Sequence, residues 1–236
     1  MGPPDGQRPG LQPDEGGPFM KALSMASAGH PLRILCLGAH ADDIEIGAGG
    51  TILGLIAEGV ELDVHWCVMS GTPERAAETR RSAAAFLKGA AGATVEVRDF
   101  EDSYFPSQSR DIKQFMLSLR ERVEPDVIFT HSRFDAHQDH RELNKLTTNI
   151  FRDHLVLEYE IPKWDGDLME RNTYVPLLPG VIDRKIDLLM EHFATQRSKD
   201  WFHEDVFRGL ARMRGMECRS PSLFAEAFTV RKMALG

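Results

Sequence analysis

Residues 32–45 read LRILCLGAHADDIE, an apolar run that ends in glycine and passes directly into a polar segment. The apolar part, from Leu32 to Leu37, has the length and composition of a buried β-strand. The polar part carries His40, Asp42 and Asp43 directly after that strand. Ligands bind beyond the carboxyl ends of strands in open α/β sheets. The segment therefore predicts both the first strand of such a sheet and one half of a functional site.

The alternation of strand and helix patterns continues along the chain. Further strands are predicted at 62–69, 94–97, 125–130 and 155–161, and helices at 47–59, 73–87, 111–123 and from about 140 onward. Helices of this length between strands imply parallel crossover connections. Residues 162–178 are rich in proline, glycine and aromatic residues and predict a long loop, before helices at 183–193 and 203–213 and a last strand at 227–230. We therefore predict a layered α/β fold with a mostly parallel central sheet.

The composition predicts one globular domain preceded by a tail. The chain has 236 residues, of which 42% are hydrophobic and 27% charged, enough for a substantial core. Residues 1–30 are rich in glycine and proline, and we predict a disordered extension there. Residues 31–236 are then a single domain.

Charge, cysteine use and hydropathy restrict the partners and the compartment. A net charge of -8 argues against nucleic acid or an anionic membrane as the main partner. We expect the three cysteines, Cys36, Cys67 and Cys218, to be buried free thiols. No apolar run approaches the roughly 20 residues that span a bilayer, and residues 1–30 lack the apolar stretch typical of a secretory signal. The sequence thus predicts a soluble, cytoplasmic protein.

A second polar segment, residues 131–140, reads HSRFDAHQDH and follows the predicted fourth strand. Parallel topology places it at the same edge of the sheet as His40 and Asp43, and two imidazoles with one carboxylate make a three-ligand metal site with open positions. We predict that His40, Asp43 and His140 bind the metal. Asp42 is then free to act as general base, and His137 to stabilise an oxyanion when protonated.

Three other interpretations of these residues stay open on the sequence alone. An Asp-Asp pair after a strand commonly serves as a helix N-cap with a solvated neighbour. Two histidines and a carboxylate also bind iron in oxygenases, although the adjacent Asp42 favours hydrolysis. The glycines Gly47, Gly49 and Gly50 suggest a dinucleotide site, but Ile52 stands where the third glycine of that fingerprint belongs. Close approach of the backbone beside the site explains these glycines better.

At these motifs the sequence resembles the LmbE-like, or PIG-L, deacetylase family. The matching motifs are Ala39-His40-Ala41-Asp42-Asp43 with Gly47-Ala48-Gly49-Gly50-Thr51, then Pro73-Glu74-Arg75 through Glu78, His137-Gln138-Asp139-His140, and Ala225-Glu226-Ala227-Phe228. The resemblance implies a Rossmann-like fold, a zinc cofactor and hydrolysis of N-acetyl groups. It implies the same roles: His40, Asp43 and His140 as ligands, Asp42 as base, and His137 as the residue that stabilises the oxyanion. It adds Asp139 as the residue that orients His137. The chain departs from the common pattern at Ala41 and Ile44, where Pro and an acidic residue are frequent.

Candidate substrate contacts are Arg75, Asp102 and Tyr104, which follow the second and third strands. Arg75 either grips a hydroxyl or phosphate of the substrate or pairs with Glu78 on the helix surface. Aromatic residues of the predicted long loop and the strand before it, Tyr159 and Trp164, either stack on a sugar or pack in the core.

The function predicted from the sequence is metal-dependent removal of an N-acetyl group from an amino sugar or amino-sugar conjugate. Zinc is the expected metal, with Fe²⁺ as the alternative. The competing functions are an amidase that cleaves a larger N-acyl conjugate and a non-hydrolytic module that binds a sugar or nucleotide. The expected partner is a small-molecule substrate, and a homo-oligomer is compatible with the sequence.

Overall fold

The structure is a computed structural model that describes residues 23–25 and 29–234. Within these residues the strands are β1 (Leu32–Gly38), β2 (Leu62–Val68), β3 (Gly92–Val97), β4 (Val127–His131), β5 (Leu155–Tyr159), β6 (Thr173–Pro176) and β7 (Ala225–Val230). The helices are α1 (Asp43–Ala57), α2 (Pro73–Phe86), α3 (Ser109–Arg120), α4 (Gln138–Ile150), α5 (Val181–His192) and α6 (Glu204–Glu217). Most of the predicted disordered extension, residues 1–30, lies outside the described residues.

The strands form one seven-stranded sheet in the order β3-β2-β1-β4-β5-β7-β6. Strands β1 to β5 are parallel, whereas β7 runs antiparallel to β5, and β6 antiparallel to β7. The prediction of a layered α/β fold with a mostly parallel sheet is confirmed. The order places β1 beside β4 in the centre of the sheet, so the ends of these two strands are neighbours.

Helices cover both faces of the sheet because the strands are apolar on both sides. Along β1, Ile34 and Cys36 face one core, which α1, α2, α5 and α6 cover, while Leu35 and Leu37 face the other, beneath α3 and α4. All three cysteines are buried and free, as predicted. This alternation gives three layers and leaves the carboxyl ends of the parallel strands open at one edge.

Several predicted boundaries are wrong. The helix predicted at 203–213 extends to Glu217. The segment 162–178, predicted as a long loop, contains β6. This strand has four residues, ends in Pro176 and pairs only with β7, so its pattern is too short to be distinguished from a loop. The first helix begins at Asp43 and not near Gly47, because the carbonyl oxygen of Asp42 already accepts the first helical hydrogen bond, from Ile46. The division into a tail and a single domain stays a prediction.

The family-like motif near the C-terminus holds α1 in place. The buried carboxylate of Glu226, in β7, accepts hydrogen bonds from the backbone N–H groups of Gly50 and Thr51 at 2.7 Å each. Lys185 of α5 donates to the same carboxylate at 2.7 Å and to the carbonyl oxygen of Ile46 at 2.6 Å. These bonds fix α1 against β7 and α5, and with it the polar segment at its N-terminus.

Across residues 23–25 and 29–234, none of the helices combines the length and the apolar character needed to cross a bilayer.

Candidate metal centre and catalytic site

The candidate site lies where the strand order of the sheet reverses. From β1 the chain proceeds outward through β2 and β3, and β4 then returns to the other side of β1. Such a switch point opens a crevice beyond the carboxyl ends of the two central strands. The two polar segments singled out in the sequence, residues 38–45 and 131–140, flank this crevice.

The three predicted metal ligands converge there. Nδ1 of His40 lies 3.2 Å from Nε2 of His140 and 3.5 Å from Oδ2 of Asp43. Nε2 of His140 lies 3.6 Å from Oδ1 of Asp43. Ligand atoms bound tetrahedrally at zinc distances of about 2.0–2.1 Å are roughly 3.3–3.5 Å apart. The separations therefore fit ligand atoms from these three residues, with either oxygen of Asp43, arranged around one ion.

Two carboxylates face the other ring nitrogen of His40. Nε2 lies 3.1 Å from Oδ2 of Asp139 and 3.1 Å from Oδ1 of Asp102. Burial lowers the pKa of His40, but its contacts with Asp102, Asp139 and Asp43 outweigh burial and raise that pKa well above its usual value. A carboxylate behind a ligating histidine fixes the orientation of the ring and strengthens it as a ligand.

This placement differs from the predicted role of Asp139. Its side chain binds His40 and accepts hydrogen bonds from the backbone N–H groups of Ser103 and Phe105, at 2.6 and 3.0 Å. Only its backbone N–H contacts the ring of His137, at 3.2 Å. The carboxylate thus positions His40 and the loop after β3, and it does not hold His137 as the sequence suggested.

His140 lies between a carboxylate and a second imidazole. Oδ2 of Asp135 is 2.9 Å from Nδ1 of His140, and the ring of His131 stacks on the ring of His140 with centroids 3.8 Å apart. Burial, followed by the neighbouring His131, lowers the pKa of His140 to about 4. Burial raises the pKa of Asp43, but the nearby histidines hold it well below its usual range. Near neutral pH, His140 is neutral and Asp43 ionised, the forms that bind metals, whereas the raised pKa of His40 means that this ring has to release a proton when a metal binds.

Asp42 stands beside the three ligands in a strained, buried position. Its φ is 92°, a left-handed conformation that non-glycine residues rarely adopt. It precedes α1, yet its side chain makes no capping hydrogen bond and is almost fully buried, so the N-cap interpretation fails. Oδ1 lies 3.3 Å from Nη2 of Arg75, and Oδ2 is buried without a hydrogen-bond partner among the described residues. Burial raises the pKa of Asp42 to about 7.

His137 is oriented as a hydrogen-bond donor toward the site. It precedes α4, and its Nδ1 accepts a hydrogen bond from the backbone N–H of Asp139, so in the neutral ring Nε2 carries the proton. Its ring lies near those of His40 and His140, with centroids 4.8 and 4.7 Å apart. Burial, and then the charge on His40, lowers the pKa of His137. Nε2–H is therefore the donor that the ring offers to an oxyanion in either protonation state, and the protonated form that we expected stays a prediction.

The candidate substrate contacts lie around the same crevice. Arg75 donates to the carbonyl oxygen of Ala41 at 2.6 Å, and its side chain is only 19% exposed. The predicted alternative, a surface pair with Glu78, is wrong, because Glu78 accepts hydrogen bonds from Thr195. Asp102 is 56% exposed at the mouth, and Tyr104 beside it is also exposed. Substrate contact stays a prediction for all three.

Two residues of the site had no predicted role, His131 and Asp135. Nε2 of His131 lies 3.2 Å from Oδ2 of Asp43 and accepts from the backbone N–H of Ala39 at 3.0 Å. Asp135 contacts His140, as described above, and also Lys163, at 3.0 Å. Both belong to the segment 131–140, so their position near the site could be predicted. Their partners could not, because a linear sequence does not show which ring faces which carboxylate.

Nitrogen and oxygen ligands from His40, Asp43 and His140 suit zinc and also ferrous iron. The distances between these ligand atoms, the ionised Asp43 and the carboxylates behind both histidines fit such an ion. Among the described residues, three other groups bring metal-binding atoms close together: Asp43 with His131 and His140, His40 with His137 and His140, and His40 with Asp102, His137 and Asp139. In the second grouping His137 would have to give up its bond with the Asp139 N–H to bind through Nε2 while neutral, which favours Asp43 as the third ligand.

The comparison with protein families agrees with these motifs. The model of the PIG-L family, described as GlcNAc-PI de-N-acetylase, matches residues 35–151, from within β1 to the end of α4. Over this range the chain is similar to the PIG-L family. The matched range contains all three candidate ligands, the candidate base and His137. No curated protein sequence is significantly similar to the chain.

Solved structures with the same fold span different activities. The conserved protein TT1542 from Thermus thermophilus is 21% identical, with a TM-score of 0.65, covering 87% of this chain and 97% of its own. The N,N'-diacetylchitobiose deacetylase from Pyrococcus horikoshii is 20% identical, with a TM-score of 0.63 and coverage of 84% and 83%. GalB, the 4-carboxy-2-hydroxymuconate hydratase from Pseudomonas putida, is 18% identical, with a TM-score of 0.70 and coverage of 86% and 98%. At these identities the likeness establishes the fold, and the activity has to be argued from the site.

Proposed function

We propose that the protein is a zinc-dependent hydrolase that removes the N-acetyl group from an amino sugar or an amino-sugar conjugate. The observation that carries the proposal is the arrangement of Asp42. It lies next to Asp43, with one oxygen held by Arg75 and the other buried, with no hydrogen-bond partner among the described residues. A carboxylate kept apart from the ligands in this way suits a general base.

A metal held by His40, Asp43 and His140 would supply a water of lowered pKa and would polarise the amide carbonyl. Asp42 would accept the proton of the attacking water at Oδ2. Arg75 would keep the carboxylate oriented and, as a nearby positive charge, favour its ionised form. A base with a pKa near 7 has the correct protonation state and enough basicity at neutral pH.

His137 would stabilise the charge that develops on the carbonyl oxygen. Its Nε2–H is the donor available to the site, because Nδ1 is engaged by the backbone of α4. Anchoring the ring at a helix N-terminus reduces the reorganisation needed when the charge forms. The proton taken up by Asp42 would then pass to the departing amine, so that the products are acetate and a free amino sugar.

Two observations favour this function over the alternatives. A module that only binds a sugar or nucleotide does not need Asp42 as a base, and neither does an iron oxygenase. Similarity to the PIG-L family favours an acetyl group over a larger acyl group. Hydrolysis of a larger N-acyl conjugate is the second candidate, because the same site chemistry would cleave it.

The test is acetate release from a panel of N-acetylated sugars, sugar nucleotides and pseudodisaccharides. The purified chain is stripped with a chelator and reloaded with Zn²⁺, or with Fe²⁺ under anaerobic conditions. The proposal expects acetate with metal, none without it, and at least about 10²-fold slower release from an Asp42→Asn variant that retains metal. If the chain releases a bulky acid from long-chain N-acyl substrates and releases no acetate, deacetylation is wrong and the second candidate function is correct. Binding without hydrolysis in every metal form would refute both.

A further inference from the structure

The segment between β5 and β6, residues 160–172, carries a buried lysine against the polar segment 131–140. The side chain of Lys163 is only 9% exposed. Its ammonium group lies 3.0 Å from Oδ1 of Asp135, contacts Oδ2 of Asp167 and donates to the carbonyl oxygen of Ile161 at 3.4 Å. An ammonium group has three N–H donors, and three oxygen atoms surround this one. Lys163 is therefore held in one position.

Both carboxylates that contact Lys163 also bind the backbone directly before α4. Oδ1 of Asp135 accepts a hydrogen bond from the N–H of His137 at 2.8 Å, and Oδ2 of Asp167 accepts one from the N–H of Ala136 at 2.6 Å. Lys163 lies between these two negative charges, which would otherwise repel each other in a place from which water is largely excluded. Lys163 and Asp167 together thus fix the path of the chain that leads into α4.

Asp135 connects this arrangement to the candidate metal centre. Its Oδ1 is engaged by Lys163 and by the backbone of His137, and its Oδ2 lies 2.9 Å from Nδ1 of His140. A carboxylate with one oxygen fixed in this way has little freedom to turn the other oxygen away from the ring. The orientation of the His140 ring, whose Nε2 is the candidate ligand atom, therefore depends on the position of Lys163.

Stability alone is a poor explanation for these buried charges. The side chains of Asp135, Lys163 and Asp167 are 2%, 9% and 12% exposed. Buried ion pairs add little net stability, because the loss of hydration offsets the attraction between the charges. An arrangement of this kind is better suited to specifying one conformation, here that of the carboxylate beside His140.

The segment that carries Lys163 is also anchored on its other side. The next residue, Trp164, donates its indole N–H to Oδ1 of Asp200 at 2.6 Å, in the segment between α5 and α6. Trp164 is 69% exposed, so this hydrogen bond and not burial keeps its ring in place. Tyr159, the other aromatic residue left open by the sequence, is fully buried and donates to the carbonyl oxygen of Leu37 at 2.7 Å. Lys163 thus extends from a segment that is fixed independently of the metal.

We infer that Lys163 is a positioning residue of the metal centre, which holds Asp135 so that this carboxylate keeps the ring of His140 oriented toward the metal. Asp167 supports Lys163 from the opposite side. The inference rests on the metal site of the proposed function but not on the reaction itself. Removal of the ammonium group should therefore weaken metal binding, and it should do so through Asp135.

The test is a double-mutant cycle in which the dissociation constant of Zn²⁺ is measured by competition with a chromophoric chelator. Lys163→Met keeps the length of the side chain and removes its charge, and we expect about 10-fold weaker binding, the lower end of the effect of residues that orient a ligand. Asp135→Asn breaks the link to His140. Adding Lys163→Met to Asp135→Asn should therefore change the affinity by less than about 2-fold. An equal loss of affinity in both backgrounds would show that Lys163 does not act through Asp135.

Lys145→Met is the matched control, because Lys145 pairs with Glu142 on the surface of α4 and its side chain is 62% exposed. This variant should bind Zn²⁺ as tightly as wild type. The visible absorption spectrum of the Co²⁺-loaded protein is a second readout, since it depends on the geometry of the ligands. Its bands should shift in Lys163→Met and keep their positions in Lys145→Met. Lys163→Gln, which is also uncharged, takes the place of Lys163→Met in each comparison if the latter does not fold.

A lysine with a merely structural role would lower the free energy of unfolding when replaced and leave the metal affinity and the spectrum unchanged, which would overturn the inference. Acetate release by the same proteins separates the inference from the proposed function. If none of them releases acetate but Lys163→Met binds Zn²⁺ more weakly than Lys145→Met, the inference stands and the proposed function fails. If wild type releases acetate and the two variants bind Zn²⁺ equally, the proposed function stands and the inference is wrong.

Discussion

Arg75 reaches from the first turn of α2 to Asp42, with Nη2 3.3 Å from Oδ1 of the carboxylate. The same nitrogen donates to the carbonyl oxygen of Ala41 at 2.6 Å. One guanidinium group therefore holds the backbone before the proposed base and one oxygen of the base itself. The other oxygen is left for the reaction.

Replacing Arg75 should shift the pH dependence of activity. Burial raises the pKa of Asp42, and the charge of Arg75 opposes that rise. The base works in its ionised form, so activity falls as the pH drops through its pKa. In Arg75→Gln the acidic limb of kcat/KM against pH should move to higher pH, whereas Arg75→Lys should keep it near the wild-type position. An unchanged limb in Arg75→Gln would show that Asp42 does not control it.

Replacing Asp42 should greatly reduce turnover and leave the metal in place. Asp42→Asn preserves the size of the side chain but cannot take a proton, and we expect a loss of turnover of about 10²-fold or more. Metal content, measured by elemental analysis, should equal that of wild type. His140→Ala is the contrasting variant, in which metal should be lost. Near-normal turnover of Asp42→Asn would exclude it as the base.

Asp135 should control metal affinity through His140. Its Oδ2 lies 2.9 Å from Nδ1 of that ring, and loss of such a supporting carboxylate typically weakens metal binding by about 10- to 100-fold. Competition with a chromophoric chelator should show this for Asp135→Asn. The exposed Asp153, replaced by Asn, makes the same change of charge away from the site and should leave affinity unchanged. Equal affinities for the two variants would contradict the role of Asp135.

The close contact between α1 and β5 makes a prediction about stability. A Cβ added at Gly47 would overlap the ring of Tyr159, which is fully buried. Gly47→Ala should therefore lower the free energy of unfolding by about 1–3 kcal/mol. Gly54 lies in the same helix with open space at its Cβ position, and Gly54→Ala should be neutral or stabilising by up to about 1 kcal/mol. Urea denaturation measures the free energy of unfolding of both variants. Equal changes in the two would show that the contact between Gly47 and Tyr159 does not exclude a larger residue.

Glu45 should make the metal-free protein less stable as the pH rises. This carboxyl is fully buried, and burial raises its pKa from 4.5 to about 8, although the nearby hydroxyl of Ser82 opposes the rise. Between these values the folded chain keeps a proton that the unfolded chain has lost. Stability therefore falls as pH rises through this window, by at most about 1.4 kcal/mol per pH unit. Glu45→Gln should flatten that slope, and the same slope in both proteins would contradict the assignment.

The sequence alone was sufficient to predict that His40, Asp43 and His140 lie close together. Each follows a buried strand closely, and parallel strands bring their carboxyl ends to one edge of a sheet. Because few residues separate the strand ends from these side chains, their positions can vary little. The alternation of strands and helices could also be predicted over most of the chain, because hydrophobic periodicity distinguishes the two. The exception is β6, whose four residues at the sheet edge carry too little pattern.

Orientation within the site could not be predicted in this way. Asp139 binds His40 and not His137, and Asp135 lies behind His140, although all of these residues were visible in the motifs. Which ring a carboxylate meets depends on side-chain rotamers and on the path of a neighbouring loop. Both are fixed by packing with residues that are distant in the sequence.

The sequence by itself therefore determined the fold class, the edge of the sheet that carries the site and the residue types gathered there, because hydrophobic periodicity and strand direction are local properties of the chain. Only the tertiary structure decided the partner of each polar side chain, the strained backbone of Asp42 and the exposed, fixed indole of Trp164. These depend on burial and on contacts between distant segments, which exist only once the layers have packed.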